Sequence, residues 1–152
     1  MMIILVRHGE ATHHTQRLTG GWTDSQLTEG RAQIKAAAVK LAKDFAGRNC
    51  KLRILASDLQ RASASAQIIA EELGFKGEIE HCRFLREQNN GIAAGMTEEE
   101  AKKHFCKPVS EQELDHRNYP GGETRNEFYR RNVHGLWHCA DVDKENLLIV
   151  AH

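Results

Sequence analysis

Two short aliphatic runs stand at opposite ends of this 152-residue chain, and each runs into a histidine. Met1-Met2-Ile3-Ile4-Leu5-Val6 stops at Arg7-His8-Gly9, and Leu147-Leu148-Ile149-Val150-Ala151 stops at His152. Uncharged runs of this length, bounded by polar residues and glycine, read as strands buried on both faces of a sheet, and the first is expected near its centre. In open α/β sheets ligands sit beyond the carboxyl ends of the strands, where Arg7, His8 and His152 would stand. A guanidinium offers a fixed fork of donors for phosphate or carboxylate, and an imidazole can act as nucleophile, base or metal ligand.

Between these runs, strand and helix patterns alternate. Ala11 to Ser25 is polar, contains Gly20-Gly21, and reads as a loop. A helix is expected from Arg31 to about Ala46, capped by Thr28, stopped by Gly47, with Ile34, Ala37, Ala38, Leu41, Ala42 and Phe45 on one face. Leu52 to Ala56 reads as a second strand, Ser57-Asp58 as a junction, and Leu59 to Leu73 as a helix ending at Gly74. A short strand over Ile79 to Cys82 leads into a loop from Arg83 to Gly95. Thr97 followed by Glu98, Glu99 and Glu100 starts a helix to about Phe105, and Ser110 to Asp115 suggests a shorter one. Tyr119-Pro120-Gly121-Gly122 is a turn, and Glu123 to about Ala140 a longer helix with Phe128, Val133, Leu136 and Trp137 inward. The alternation predicts a single α/β domain, a three-layer α/β/α arrangement with a mostly parallel sheet flanked by helices.

Charge and cysteine usage narrow the function classes. Lys plus Arg and Asp plus Glu both number 21, so no global field draws the chain to nucleic acid or to an anionic membrane. No apolar stretch is long enough to span a bilayer, and the opening run lacks a basic region before it and a cleavage pattern after it. The expected location is cytoplasmic, with no nucleic-acid or membrane partner. Cys50, Cys82, Cys106 and Cys139 form no C-x-x-C pair and are expected as free thiols.

If the strands are parallel neighbours, their ends bring Arg7 and His8, Ser57 and Asp58 with Arg61 one helical turn on, and His152 to one edge of the sheet. The short strand adds Leu85-Arg86-Glu87. Imidazoles, guanidiniums and a carboxylate in one place suit phosphoryl transfer through a phosphohistidine. The imidazole attacks phosphorus, the cations neutralise the equatorial oxygens, and the carboxylic acid protonates the leaving alkoxide.

At this point the sequence resembles the histidine phosphatase superfamily, which includes the cofactor-dependent phosphoglycerate mutases. The resemblance rests on six ordered blocks covering nearly the whole chain. They are Leu5 to Thr12; Gly21-Trp22-Thr23-Asp24 with Leu27-Thr28 and Gly30; Ser57 to Ala62 with Ser65-Ala66; Leu85-Arg86-Glu87 with Gly91; Pro120 to Thr124; and Val150-Ala151-His152. It implies a phosphoglycerate mutase-like fold acting on a small phosphorylated substrate without a cofactor or metal. His8 would be the phosphorylated nucleophile, with Arg7, Arg61 and His152 forming the phosphate pocket. Glu87 would act as general acid and then as base for the attacking water, and backbone amides around Gly20 and Gly21 would help hold the substrate. His14 falls where many relatives place a phosphate-contacting asparagine, a role an imidazole donor can also fill.

His8 must be neutral to attack, and two neighbouring guanidiniums are expected to lower its pKa. Glu87 must start protonated, a state that a bound phosphate dianion favours, so a bell-shaped rate profile on the acidic-to-neutral side is expected. Within the resemblance, Gln88-Asn89-Asn90 follows the acid where the mutases carry basic residues, and Arg117 is the only arginine between Gly95 and Pro120. That favours a phosphatase over mutase-type phosphoryl transfer; a module that binds phosphate ligands without turnover is a further alternative. His134 and His138 have the spacing of a zinc pair but no third ligand, so a solvated helix face is the expectation. Relatives continue beyond the second histidine with another helix. The expected unit is therefore one domain over residues 1–152 lacking that continuation, with a terminal carboxylate that would weaken the pocket. Substrate identity and oligomeric state are left open by the sequence, a homo-oligomer included.

Overall fold

The last strand of the chain, β4 (Asn146–Ala151), lies between the first, β1 (Ile3–Arg7), and the second, β2 (Leu52–Ala56), with β3 (Ile79–His81) at the far edge. The order is β1-β4-β2-β3 and every neighbouring pair is parallel. This is a computed structural model, and it describes residues 2–45, 51–105, 113–139 and 146–152. The remaining elements are α1 (Thr12–Thr15), α2 (Gly30–Phe45), α3 (Gln60–Leu73), α4 (Glu98–His104) and α5 (Arg125–Cys139). Single 3₁₀ turns cover Arg83–Leu85 and Gly91–Ala93. The expected stop at Gly47, the start of the short helix at Ser110, the helix end at Ala140, and Cys50 and Cys106 lie outside the described residues.

Register aligns the strand ends. Arg7 pairs with Ala151 and Ala56 with Val150, so His8, Asp58 and His152, one or two residues further on, emerge side by side. The His8 amide donates to Ala151 O and the Ser57 amide to Val150 O, which extends the ladder to the edge where these side chains begin.

The sheet separates two cores. On one face α2 and α3 contribute Ile34, Ala38, Ala62, Ala66 and Ile69, packed on Ile54, Ala56, Leu148 and Val150 of the strands. Small residues on α3 let its backbone approach the sheet, and the alternate strand residues supply the bulk. On the other face Leu55, Leu147 and Ile149 meet Leu85, Phe84, Leu136 and Cys139. The expected three-layer α/β/α fold is present, and its sheet is parallel throughout the described residues.

Three expectations about packing are corrected. Among the described residues β1 is the edge strand of the sheet and not a central one: Ile4 and Val6 face the first core, but Leu5 is 74% exposed. Strand order is set by crossovers, which a run of aliphatic residues does not encode. On α5, Leu136 points inward as expected, whereas Val133 is exposed and Trp137 is 82% exposed. The helix sits towards the β3 side, where the Phe84 ring lies against Gly135; a Cβ there would come within 2.1 Å of the ring. Thr28 does not cap α2; its hydroxyl donates to the Glu10 carboxylate at 2.6 Å. The Thr97 cap is as expected, with Glu100 N–H donating to Thr97 Oγ1 and Thr97 N–H to Glu100 Oε2. Gly74 ends α3 in the left-handed conformation at φ 62°.

Candidate active site

His8 and His152 stand with ring centroids 4.9 Å apart at the ends of β1 and β4. His8 Nδ1 donates to the Gly9 carbonyl at 2.6 Å. A carbonyl can only accept, so the proton resides on Nδ1 and the Nε2 lone pair is left for chemistry. That lone pair faces Arg61, whose Nε lies 3.2 Å from His8 Nε2 and 3.2 Å from His152 Nδ1. Because a guanidinium is donor-only, His152 must accept on Nδ1 and carry its proton on Nε2, which contacts Ser57 Oγ at 3.0 Å. One arginine therefore sets the relation between two imidazoles.

Arg61 is fully buried. Its Nη1 donates to Thr23 O at 2.7 Å and its Nη2 to Gly21 O at 2.8 Å, so the loop before α2 fixes the guanidinium plane. Gly21 supports this with φ +70°. Ser65 ties the base of the site together, accepting from Gly9 N–H and donating to Arg61 O. The Gly9 turn also lies directly on the start of α2, and a Cβ on Gly30 would stand 2.2 Å from Glu10 N.

Arg7 and His14 complete this side. The Ala11 amide donates to His14 Nδ1 at 3.1 Å, which leaves Nε2 as the protonated nitrogen of the neutral ring. Arg7 Nη2 lies 3.4 Å from that nitrogen. Two donors thus converge on a common point, an arrangement that an anionic oxygen satisfies. His13, a residue the sequence reading passed over as a site residue, is buried behind them. Its ring is 3.9 Å from that of His14, and its Nδ1 is 2.6 Å from Ser25 Oγ. Two adjacent histidines in a loop gave no sign of which one faces the site.

Burial dominates the electrostatics. Desolvation lowers the His8 pKa to about 4, helped by Arg61, Arg7 and His14 and opposed by the Gly9 carbonyl. The expected direction is right, but burial outweighs the guanidiniums as its cause. His13 is likewise lowered to about 4, first by burial and then by His14 and the two arginines. Burial and then Arg61 push His152 down as well, and burial does the same to Arg61, opposed by the Glu87 and Asp24 carboxylates.

Glu87 reaches this edge from the loop after β3. Its carboxylate lines a cleft of about 370 Å³ together with His13, His14, Gly20 and Gly21. The arginines beside it in sequence are engaged elsewhere. Arg86 holds Asp58 through two 2.6 Å hydrogen bonds, and Arg83 lies over the Trp22 ring. The loop is held by Arg131, which the sequence reading missed. Its guanidinium donates to Phe84 O, Arg86 O and Glu87 O while paired with Glu123. Glu123 also accepts from Asn89 N–H, so the Pro120–Thr124 turn and α5 hold the loop together. Residues so far apart in sequence carry no spacing signal for this contact.

The structure thus brings Arg7, His8, His14, Arg61 and His152 together, with Glu87, Gly20 and Gly21 on the adjoining wall. His134 and His138 are exposed on α5, well away in the fold, with rings 5.3 Å apart.

A family profile, that of the histidine phosphatase superfamily (branch 1), matches residues 3–152. The chain belongs to this superfamily. It is 34% identical over 156 residues to phosphoglycerate mutase-like protein 4 of Arabidopsis thaliana, covering 99% of this chain and 65% of that protein. It is 30% identical to the 2,3-bisphosphoglycerate-dependent phosphoglycerate mutase of Bartonella tribocorum, covering 99% of this chain and 75% of that one. Among solved structures, mycobacterial glucosyl-3-phosphoglycerate phosphatase superposes with a TM-score of 0.75 at 27% identity, over 99% of this chain and 73% of that chain. The histidine phosphatase chain described here therefore spans about two thirds to three quarters of these relatives. No helix among its described residues is long and apolar enough to cross a membrane.

Proposed function

We propose that the protein is a phosphomonoester hydrolase that acts through a phosphohistidine on a small phosphorylated metabolite. The observation that carries this reading is the fixed tautomer of His8. Its Nδ1 proton is committed to Gly9 O, and its unprotonated Nε2 shares the Arg61 N–H with His152. With its pKa near 4, His8 is neutral and nucleophilic at ordinary pH.

In the first step the Nε2 lone pair forms a bond to phosphorus as the bond from phosphorus to the leaving oxygen breaks. Glu87, protonated, gives its proton to that oxygen. Arg7 and Arg61 neutralise charge on the equatorial oxygens, and the neutral imidazoles of His14 and His152 stand beside them as hydrogen-bonding groups, with the Gly20–Gly21 backbone close by. In the second step water attacks phosphorus, Glu87 takes its proton, and the electrons of the N–P bond return to His8 Nε2. Phosphate leaves and Glu87 is again protonated.

Hydrolysis is favoured over mutase-type transfer by the arginine inventory. Arg117, the candidate for a carboxylate clamp, is bound to Glu127 and to the Gly122 carbonyl. The relatives include both a phosphatase and a mutase, so sequence similarity alone does not decide between them.

The test is turnover of an aryl phosphate in the presence of a chelator, comparing the chain with His8→Ala, together with acid-quench trapping of a labile phosphoprotein. Turnover and trapped phosphate that both vanish in His8→Ala support the reading. Turnover that survives the substitution, or that requires a divalent metal, overturns it.

A further inference from the structure

The wall facing the phosphate groups carries its own information about what leaves. The cleft beside Glu87 is bounded by His14, Leu18, Gln88, Asn90 and Glu98, and none of its lining residues is Arg or Lys. Two acidic side chains therefore line the cleft beside the phosphate groups: Glu87, which the mechanism needs protonated, and Glu98. The Glu87 carboxylate forms no ion pair among the described residues, and its Oε1 accepts from the Gln88 backbone N–H at 3.3 Å. The cations that might have been turned inward are held outside. Arg86 is paired with Asp58, Arg131 with Glu123, and Arg117 with Glu127. Lys102 approaches Glu98 at 3.8 Å, but both side chains are exposed, so this pair offsets little of the carboxylate's field.

The same wall offers hydrogen-bonding groups without charge. Gln88 spends its amide N–H on Glu123 O, which leaves its carbonyl oxygen uncommitted. The Asn90 amide packs close to Gly21 at the floor of the cleft, with its polar atoms available. Hydroxyl groups, which donate and accept, suit such partners, and Leu18 gives a short apolar surface for a carbon skeleton.

Resting on the hydrolase reading above, we infer that the substrate is the phosphate monoester of an uncharged polyol, and that a wall bearing the Glu98 carboxylate and no Arg or Lys discriminates against leaving groups bearing a carboxylate. A carboxylate placed there meets the Glu98 charge and finds no Arg or Lys among the lining residues to pair with, while Glu87, protonated for its acid role, supplies no positive charge either. Such juxtaposition raises the barrier for the wrong partner more than it helps the right one.

The experiment compares glycerol 3-phosphate with 3-phosphoglycerate, which share a three-carbon skeleton and differ by a hydroxymethyl in place of a carboxylate. The full chain is expected to show kcat/KM roughly ten-fold or more in favour of glycerol 3-phosphate, shrinking as salt is raised. Glu98→Lys is expected to narrow or reverse that ratio. The same pair is measured as equilibrium binding to His8→Ala, where no turnover is needed, and the affinity ratio should run in the same direction. A ratio near one, a preference for 3-phosphoglycerate, a ratio insensitive to Glu98→Lys, or no binding of either ester overturns the inference. Failure of the hydrolase reading looks different: aryl phosphate turnover would be absent or independent of His8, whatever the binding ratio.

Discussion

The phosphate side and the leaving-group side of the site are built by opposite means. The phosphate side rests on strand ends whose register is locked by the sheet, with Arg61 fully buried and bonded to two imidazoles and two loop carbonyls. The leaving-group side hangs on loops, with Glu87 presented from the segment after β3 and Glu98 from the exposed start of α4. A rigid, desolvated floor suits a group that every substrate shares, because preorganised donors need no rearrangement as charge develops. A wall of loop side chains can vary without disturbing that floor, and it is where selectivity is expected to reside.

The largest expected effect tests the floor. Arg61→Lys keeps the charge but cannot satisfy four acceptors from a planar fork, so kcat/KM should fall on the order of 10³-fold for every ester tried. Equal losses on aryl and alkyl phosphates would mark Arg61 as part of the shared floor; a loss confined to one class would break the distinction. Next comes Glu87→Gln, expected to cost on the order of 10²-fold with an alkyl leaving group and far less with a nitrophenyl one, which departs without a proton. A loss independent of leaving-group acidity would remove Glu87 from the acid role.

Arg131→Ala tests whether the wall is held from behind. Removing the guanidinium frees Phe84 O and Arg86 O and leaves Glu87 O held by Trp22 Nε1, so kcat on alkyl esters should fall roughly ten-fold while aryl turnover changes little. A uniform loss on both, tracking a lower melting temperature, would make Arg131 merely structural.

The smallest effect at ordinary pH grows in acid. His8 and His13 are lowered from 6.5 to about 4 when folded, so the unfolded chain binds more protons between those values. Stability is therefore complete above pH 6.5 and declines as pH falls towards 4, by up to roughly 3 kcal/mol for each buried imidazole. Denaturant midpoints measured from pH 7 to pH 4 should show the decline, and His13→Gln should reduce it. Activity should follow the same direction, since protonation removes the His8 lone pair.

Much of the floor is legible in the sequence. Arg7, His8 and His152 terminate uncharged aliphatic runs, and Arg61 follows a strand-to-helix junction, so their chemistry and approximate place follow from local pattern. Glu87 was legible as a residue type in the right loop, but its freedom from Arg83 and Arg86 was not. That depended on Asp58 and Trp22, which lie far away in sequence and capture those arginines. His13 behind His14, and Arg131 beneath the loop, escaped for the same reason.

The sequence by itself determined the four strands and the helices α2 to α5, because periodicity and capping act within a few residues, but the single turn of α1 (Thr12–Thr15) lies in a segment it reads as loop. It also determined the sign of the His8 pKa shift, since guanidiniums beside an imidazole disfavour its protonated form. Tertiary structure alone decided that β1 lies at the edge of the sheet among the described residues, that Trp137 faces outward, and that Arg86, Arg117 and Arg131 are paired with carboxylates outside the cleft. Strand order, helix offset and ion pairing are choices among distant partners. They are settled by how the layers pack, and no local pattern of residues records them.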